Sequence, residues 1–163
     1  MARAQPPTIT LRPIGEEDQD FLLALYGTTR ADELALVDWD EARKAAFVRQ
    51  QFDAQHRYYQ QIFSQGSFQV ILAGDEPAGR LYLDDGPDET RIVDIAVMPQ
   101  FQGHGIGTAL VSQVLAAAAA RGASVTIHVE RNNPALRWYA RLGFRLVEDQ
   151  GVYLLLRWQA AQA

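Results

Sequence analysis

Between residues 90 and 120 the chain passes from a β-branched run, broken by the single carboxylate Asp94, through three glycines at alternate positions into an alanine-rich segment. Those glycines are Gly103, Gly105 and Gly107, and the segment after them ends at Arg121 and Gly122. A strand, a glycine turn and a helix in that order point to an α/β fold, with the helix crossing back over a sheet. Without side chains at alternate positions, successive backbone N–H groups can converge beside the helix N-terminus, where the macrodipole is positive. That geometry binds anions, phosphate above all. A tight turn with a glycine cap is the simpler alternative, although a cap needs only one glycine.

The rest of the chain is punctuated to match. Residues 8–12 alternate polar and apolar and predict a first strand. Phe21, Leu22, Leu25 and Tyr26 follow at helical spacing, after acids suited to a helix N-terminus. Residues 28–38, with Arg30, Asp32 and Glu33, read as a break. The longest helix is expected over 40–63, on the spacing of Val48, Phe52, Tyr59, Ile62 and Phe63. Residues 68–73 and 78–83 read as a hairpin about the turn 74–77, and 84–88 as a second turn. After the glycine segment come a strand at 124–129, a short helix at 134–142 stopped by Gly143, and a closing hairpin of 144–148 and 152–158. The order is β-α-α-β-β-β-α-β-α-β-β, which implies a mixed sheet flanked by helices, parallel where helices intervene and antiparallel at the hairpins. A length of 163 residues suits a single domain, over 8–158, with a loose leader over 1–7 and a tail over 159–163.

Composition narrows the function. With 48% hydrophobic and 21% charged residues the chain is globular in type. Its longest apolar run, 109–120, is interrupted by Ser112 and Gln113, so no transmembrane helix is expected. The first residues lack an apolar core, so no secretory signal is expected. The absence of cysteine excludes disulfides, thiolate metal sites and a cysteine nucleophile, and fits a cytoplasmic location. A net charge of −5 makes the chain a poor nucleic-acid binder and favours cationic small substrates. Lys44 is the sole lysine.

Three phosphate-bearing ligands compete for the glycine turn. A nucleoside triphosphate loop requires Gly-Lys-Ser/Thr, and no lysine stands here. A dinucleotide loop requires Gly-x-Gly-x-x-Gly directly after a strand and an acid about 20 residues on. Glu130 suits that acid, but the glycine spacing differs and residues 99–102 separate the turn from its strand. The third ligand is coenzyme A. Gln102-x-x-Gly105-x-Gly107 resembles the pyrophosphate signature, Gln/Arg-x-x-Gly-x-Gly/Ala, of the GNAT superfamily of N-acetyltransferases. Asn132-Asn133-Pro134-Ala135-Leu136-Arg137-Trp138-Tyr139-Ala140-Arg141-Leu142-Gly143-Phe144 is similar to that family's second motif, Asn-x-x-Ala-x-x-x-Tyr-x-x-x-Gly-Phe. The two together, separated by a strand, are strongly specific, and with the element order they cover residues 8–158.

The resemblance implies a GNAT-like sheet with splayed central parallel strands and acetyl-CoA as the cofactor. In such a fold Ile95, Ala96 and Val97 carry a bulge and pair with the pantetheine, and the N–H near Val97 polarises the thioester carbonyl. The N–H groups of Gln102, Gly103, His104, Gly105, Ile106, Gly107 and Thr108 hold the pyrophosphate, with the His104 side chain facing solvent. Tyr139 corresponds to the acid that protonates the thiolate, a role suited to a phenol of ordinary pKa near 10. Asn132 or Asn133, with Ala135, contacts the cofactor. The duller alternatives are a packed aromatic at Tyr139 and a helix cap at Asn132. For the base that deprotonates the amine, Asp94 comes first, against pairing with Arg91 or Arg80. Glu33 comes second, against a solvated acid, and His128 reads as a satisfied sheet histidine. Arg30, Tyr82 and Tyr153 are candidates to line the acceptor site.

The function implied is transfer of acetyl from acetyl-CoA to a primary amine of a small molecule or peptide, by direct attack in a ternary complex. The alternative is a non-catalytic acyl-CoA-binding module on the same fold. No metal, nucleic acid or membrane partner is implied. A homodimer is expected through pairing or swapping of the apolar strand 152–158 at a sheet edge.

Overall fold

Residues 7–161 are described by the computed structural model, so the expectations for 1–6 and 162–163 lie outside the described residues. Seven strands form one sheet in the order β1-β2-β3-β4-β5-β7-β6. They are β1 (Ile9–Pro13), β2 (Ser67–Ala73), β3 (Glu76–Asp85), β4 (Glu89–Val97), β5 (Ser124–Glu130), β6 (Arg145–Asp149) and β7 (Tyr153–Trp158). The helices are α1 (Gln19–Leu34), α2 (Glu41–Ile62), α3 (Ile106–Ala120) and α4 (Leu136–Arg141). The mixed α/β class and the element order stand as the sequence implies. The described chain divides into two compact units, residues 7–81 with Ile95–His104, and Tyr82–Asp94 with residues 105–161.

In the first unit β1 and β2 run antiparallel from Ile9↔Ala73 to Pro13↔Gln69. Buried Leu22, Tyr26 and Phe52 join α1 to α2, with Ile14, Phe21, Leu23 and Val48 packed around them. Arg12 donates two hydrogen bonds of 2.8 Å to the carboxylate of buried Asp18, which also accepts from Gly15 N–H at 2.7 Å. That ion pair fixes the start of α1 and holds the Asp18 carboxyl below its ordinary range. The break expected over 28–38 is a correction: α1 runs on to Leu34 and takes Glu33 into its last turn. Thr28 and Thr29 donate back to Leu25 O and Tyr26 O at 2.7 and 2.6 Å, which satisfies their hydroxyls on the helix. Asp40 caps α2 by accepting from Arg43 N–H at 2.7 Å. Lys44, on the first turns of α2, is largely covered and lies 3.9 Å from Glu41.

In the second unit β4 and β5 are parallel, but their ladder covers only Glu89↔Ser124 to Ile92↔Ile127. Beyond it β5 pairs with β7 as far as Glu130↔Tyr153. Ile106, Leu110 and Val111 of α3 are buried, as are Val125, Ile127 and Leu156. The helix ends as expected, on Arg121 and a left-handed Gly122 (φ +69°). The expected pairing edge at 152–158 is also a correction, because β7 lies between β5 and β6 and the outer strand is β6. That strand is exposed along its length, and its register with β7 shifts between Leu146 and Glu148. No helix among the described residues is long and apolar enough to cross a membrane.

Gly79 in β3 lies flush against β4 within the first unit. A Cβ there would stand 2.2 Å from Ala96 O and 3.1 Å from Val97 Cα, and both are main-chain atoms that cannot swing aside. Gly79→Ala is therefore expected to cost about 2 kcal/mol by overpacking. Urea denaturation measures this, and an unchanged midpoint would show that β4 yields there.

Candidate active site

The end of β4 and the start of the glycine turn belong to the first unit. Ile95, Ala96 and Val97 are half-buried. Met98 N–H donates to Ala78 O at 2.7 Å, which ties the strand's end to β3. Gly79, which makes that close approach possible, was read only as part of a strand; the signal available was a lone glycine inside it. The Gln102 carboxamide donates to Val97 O at 2.9 Å, and the Gln102 N–H is spent on Pro99 O at 3.2 Å. Gln102 thus braces the turn, and the N–H groups open to an anion begin at Gly103 rather than at Gln102. Gly103 has φ +80° with open space where a side chain would stand, and His104 is exposed as expected. A β-carbon at that φ is strained, so glycine is the residue the turn requires.

The end of the glycine turn, α3 and α4 belong to the second unit. Gly105 precedes α3 with φ +79°, and its carbonyl accepts from Ala109 N–H at 3.0 Å. The N–H groups of Ile106, Gly107 and Thr108 have no earlier carbonyl in the helix, and no acid stands in the first turn. Ile106 is buried and anchors that turn. A β-carbon on Gly107 would stand 3.5 Å from Cζ2 of Trp138, and Trp138 Nε1–H donates to Thr108 Oγ1 at 2.9 Å. Glycines in left-handed geometry, bare first-turn amides and the lack of acids fit a diphosphate.

Tyr139, one residue on, is 4% exposed, its ring centred 4.8 Å from that of Trp138 and 5.5 Å from that of Phe144. Burial, and secondarily the negative charge of Asp94, pushes its phenol well above the ordinary 10.0. The ordinary value expected from sequence is corrected, and the hydroxyl keeps its proton throughout the neutral range. The charge of Asp94 is thus felt at the Tyr139 phenol. Asn133 rather than Asn132 makes the turn into α4, accepting from Ala135 N–H at 2.8 Å, and Asn132 is exposed.

The remaining candidates have partners or surroundings of their own. Arg91 donates to His128 Nδ1 at 2.6 Å, and burial followed by the Arg91 charge lowers the pKa of His128, so it is a neutral acceptor within the sheet. Glu33 lies on α1 in the first unit, 60% exposed and paired with Arg30 at 3.0 Å. Arg30 also donates to Tyr26 Oη at 3.0 Å. Tyr82 is buried and Tyr153 exposed. Among the described residues no cluster of three or more His, Cys, Asp or Glu is placed to hold a metal ion.

Residues 32–144 match the Acetyltransferase (GNAT) family, and the chain belongs to that family. No curated protein matches its sequence. Among solved structures, PaiA N-acetyltransferase from Thermoplasma acidophilum, in complex with coenzyme A, has the same fold. Its TM-score is 0.71 at 16% identity, over 94% of this chain and 99% of that one. A GNAT family acetyltransferase from Elizabethkingia anophelis with acetyl-CoA bound gives 0.61 at 20% identity, over 93% and 98%. An Arabidopsis thaliana protein in complex with the bisubstrate analogue CoA-Ac-MVNAL gives 0.61 at 16% identity, over 91% and 97%.

The histidines set a pH dependence. Burial first, then the charge of Arg80 for His56 and of Arg91 for His128, lowers both pKa values below the ordinary 6.5. On acidification the unfolded chain therefore takes up these protons first. Stability is full above about pH 7 and falls as pH drops through about 6.5. Melting temperatures recorded from pH 8 to 5 should show the decline, and Gln at both positions should flatten it. A profile flat in the parent chain would contradict neutral histidines.

Proposed function

We propose that the chain is an acetyl-CoA-dependent N-acetyltransferase acting on a primary amine of a small molecule or peptide, as one cytoplasmic domain over residues 8–158. The observation that carries this is the buried, protonated Tyr139 within the field of Asp94, on the helix whose Trp138 packs against the first turn of α3. The family and the coenzyme A-bound neighbours support the cofactor. Bound acetyl-CoA supplies a thioester carbonyl that an amine can attack directly.

The chain's own residues then divide the work. Amides from Gly103 to Thr108 hold the diphosphate, and Asn132, left exposed while Asn133 makes the turn, faces the cofactor. The N–H of Val97 polarises the carbonyl oxygen where negative charge develops. Asp94 accepts the proton of the attacking amine, directly or through one water. Tyr139 Oη gives its proton to the departing sulfur, a role for which burial keeps it charged with a proton at neutral pH. Asp94 is preferred to Glu33 because its charge reaches Tyr139, whereas Glu33 is spent on Arg30. The acidic balance of the chain favours a cationic acceptor.

The test is calorimetric titration with acetyl-CoA, with NADH as control, followed by thiol release across a panel of amines that begins with cationic ones. Binding of acetyl-CoA alone, with turnover, is expected. Binding without turnover on any amine would leave the non-catalytic module, and NADH binding would restore the dinucleotide ligand. Tyr139→Phe is expected to lower kcat at least about 100-fold with little change in acetyl-CoA affinity, the size of a lost general acid. Asp94→Asn should cost more kcat than Glu33→Gln; the reverse order would move the base to α1.

A further inference from the structure

We infer that Trp138 is a positioning residue that turns the Thr108 hydroxyl into a dedicated hydrogen-bond donor for the anion held at the start of α3. The inference rests on the coenzyme A reading above and extends it to a side chain that touches no reacting atom.

The chemistry of the pair sets the direction of each hydrogen. An indole N–H is a donor only, so in the 2.9 Å contact Thr108 Oγ1 must accept. A threonine in the first turn of a helix commonly turns its hydroxyl back on a preceding backbone group. Here one lone pair of Thr108 is filled by Trp138, and its O–H makes no hydrogen bond within the described residues. Thr108 is exposed, so that O–H is open to a ligand, beside the first-turn amides of Ile106 and Gly107.

The indole is also held in place. Its Cζ2 and Cη2 stand 3.5 and 3.6 Å from where a β-carbon of Gly107 would be, so its edge lies along the first turn of α3. Its ring is centred 4.8 Å from that of Tyr139. One side chain therefore sets a donor at the anion end and braces the acid at the thiolate end. Phenylalanine would fill much of the same space, but it has no N–H and would free the Thr108 hydroxyl to rotate.

A double-mutant cycle read by calorimetric titration with coenzyme A alone, without turnover, tests this. Thr108→Val and Trp138→Phe should each weaken binding about tenfold, the size of one hydrogen bond to a charged group. The double variant should be no weaker than Thr108→Val alone, because orienting a hydroxyl that is no longer there adds nothing. Thr108→Ser, which keeps the hydroxyl, should bind within about twofold of the parent. Circular dichroism identifies any variant that has not folded, and Thr108→Ser compared with Thr108→Val then still reports on the hydroxyl. Losses that multiply in the double variant would show that Trp138 acts by packing alone and overturn the inference. So would unchanged affinity in Trp138→Phe. Absence of coenzyme A binding by the parent chain is a different failure, that of the proposed function itself.

Discussion

β4 is claimed on one side to its last residue and on the other for less than half its length. Toward β3, the missing side chain of Gly79 lets the backbones close until Ala96 O occupies the space of a β-carbon, and Met98 N–H is still bonded to Ala78 O. Toward β5 the ladder ends at Ile92↔Ile127. Strand main chain that leaves a ladder needs other partners. Val97 O finds one in the Gln102 carboxamide, so the residue that opens the glycine turn also closes off the end of the strand. A mixed sheet with a conventional continuous ladder would have no reason to place glutamine there.

In the second unit the organising contact is aromatic. Trp138 meets Gly107 by its edge, Thr108 by its N–H and Tyr139 in a tilted ring pair, so two segments some thirty residues apart in sequence share one wall. Burial against that wall and against Phe144 raises the proton affinity of Tyr139, with Asp94 adding to it. The indole edge lies along position 107, 3.5 Å from where a β-carbon would stand, so the first turn of α3 is in van der Waals reach of α4.

Much of this is legible in the sequence, for physical reasons. Helices and strands impose periods of 3.6 and 2 on apolar residues, and glycines mark the turns, so the element order emerges without coordinates. The errors and the open choices fall where a local rule has two outcomes. Thr28 and Thr29 suit a break or a helix equally, and the choice follows from hydroxyls bonding to carbonyls three residues back. Asn132 and Asn133 both suit a turn into α4, and a one-residue difference in where the chain bends selects Asn133. The inner position of β7 follows from sheet order, which local periodicity does not carry. The raised proton affinity of Tyr139 depends on burial, a property of the assembled fold.

The near absence of lysine acquires a chemical meaning beside a thioester. Acyl thioesters react slowly with any unprotonated amine they meet, whether or not a catalyst intends it. This chain offers them a single side-chain amine, Lys44, which lies largely covered on α2 with Glu41 alongside. Its other fixed cations are guanidinium groups, which are protonated throughout the biological pH range and do not act as acceptors. The protein can thus stay in a pool of activated acyl groups with little of its own surface open to modification.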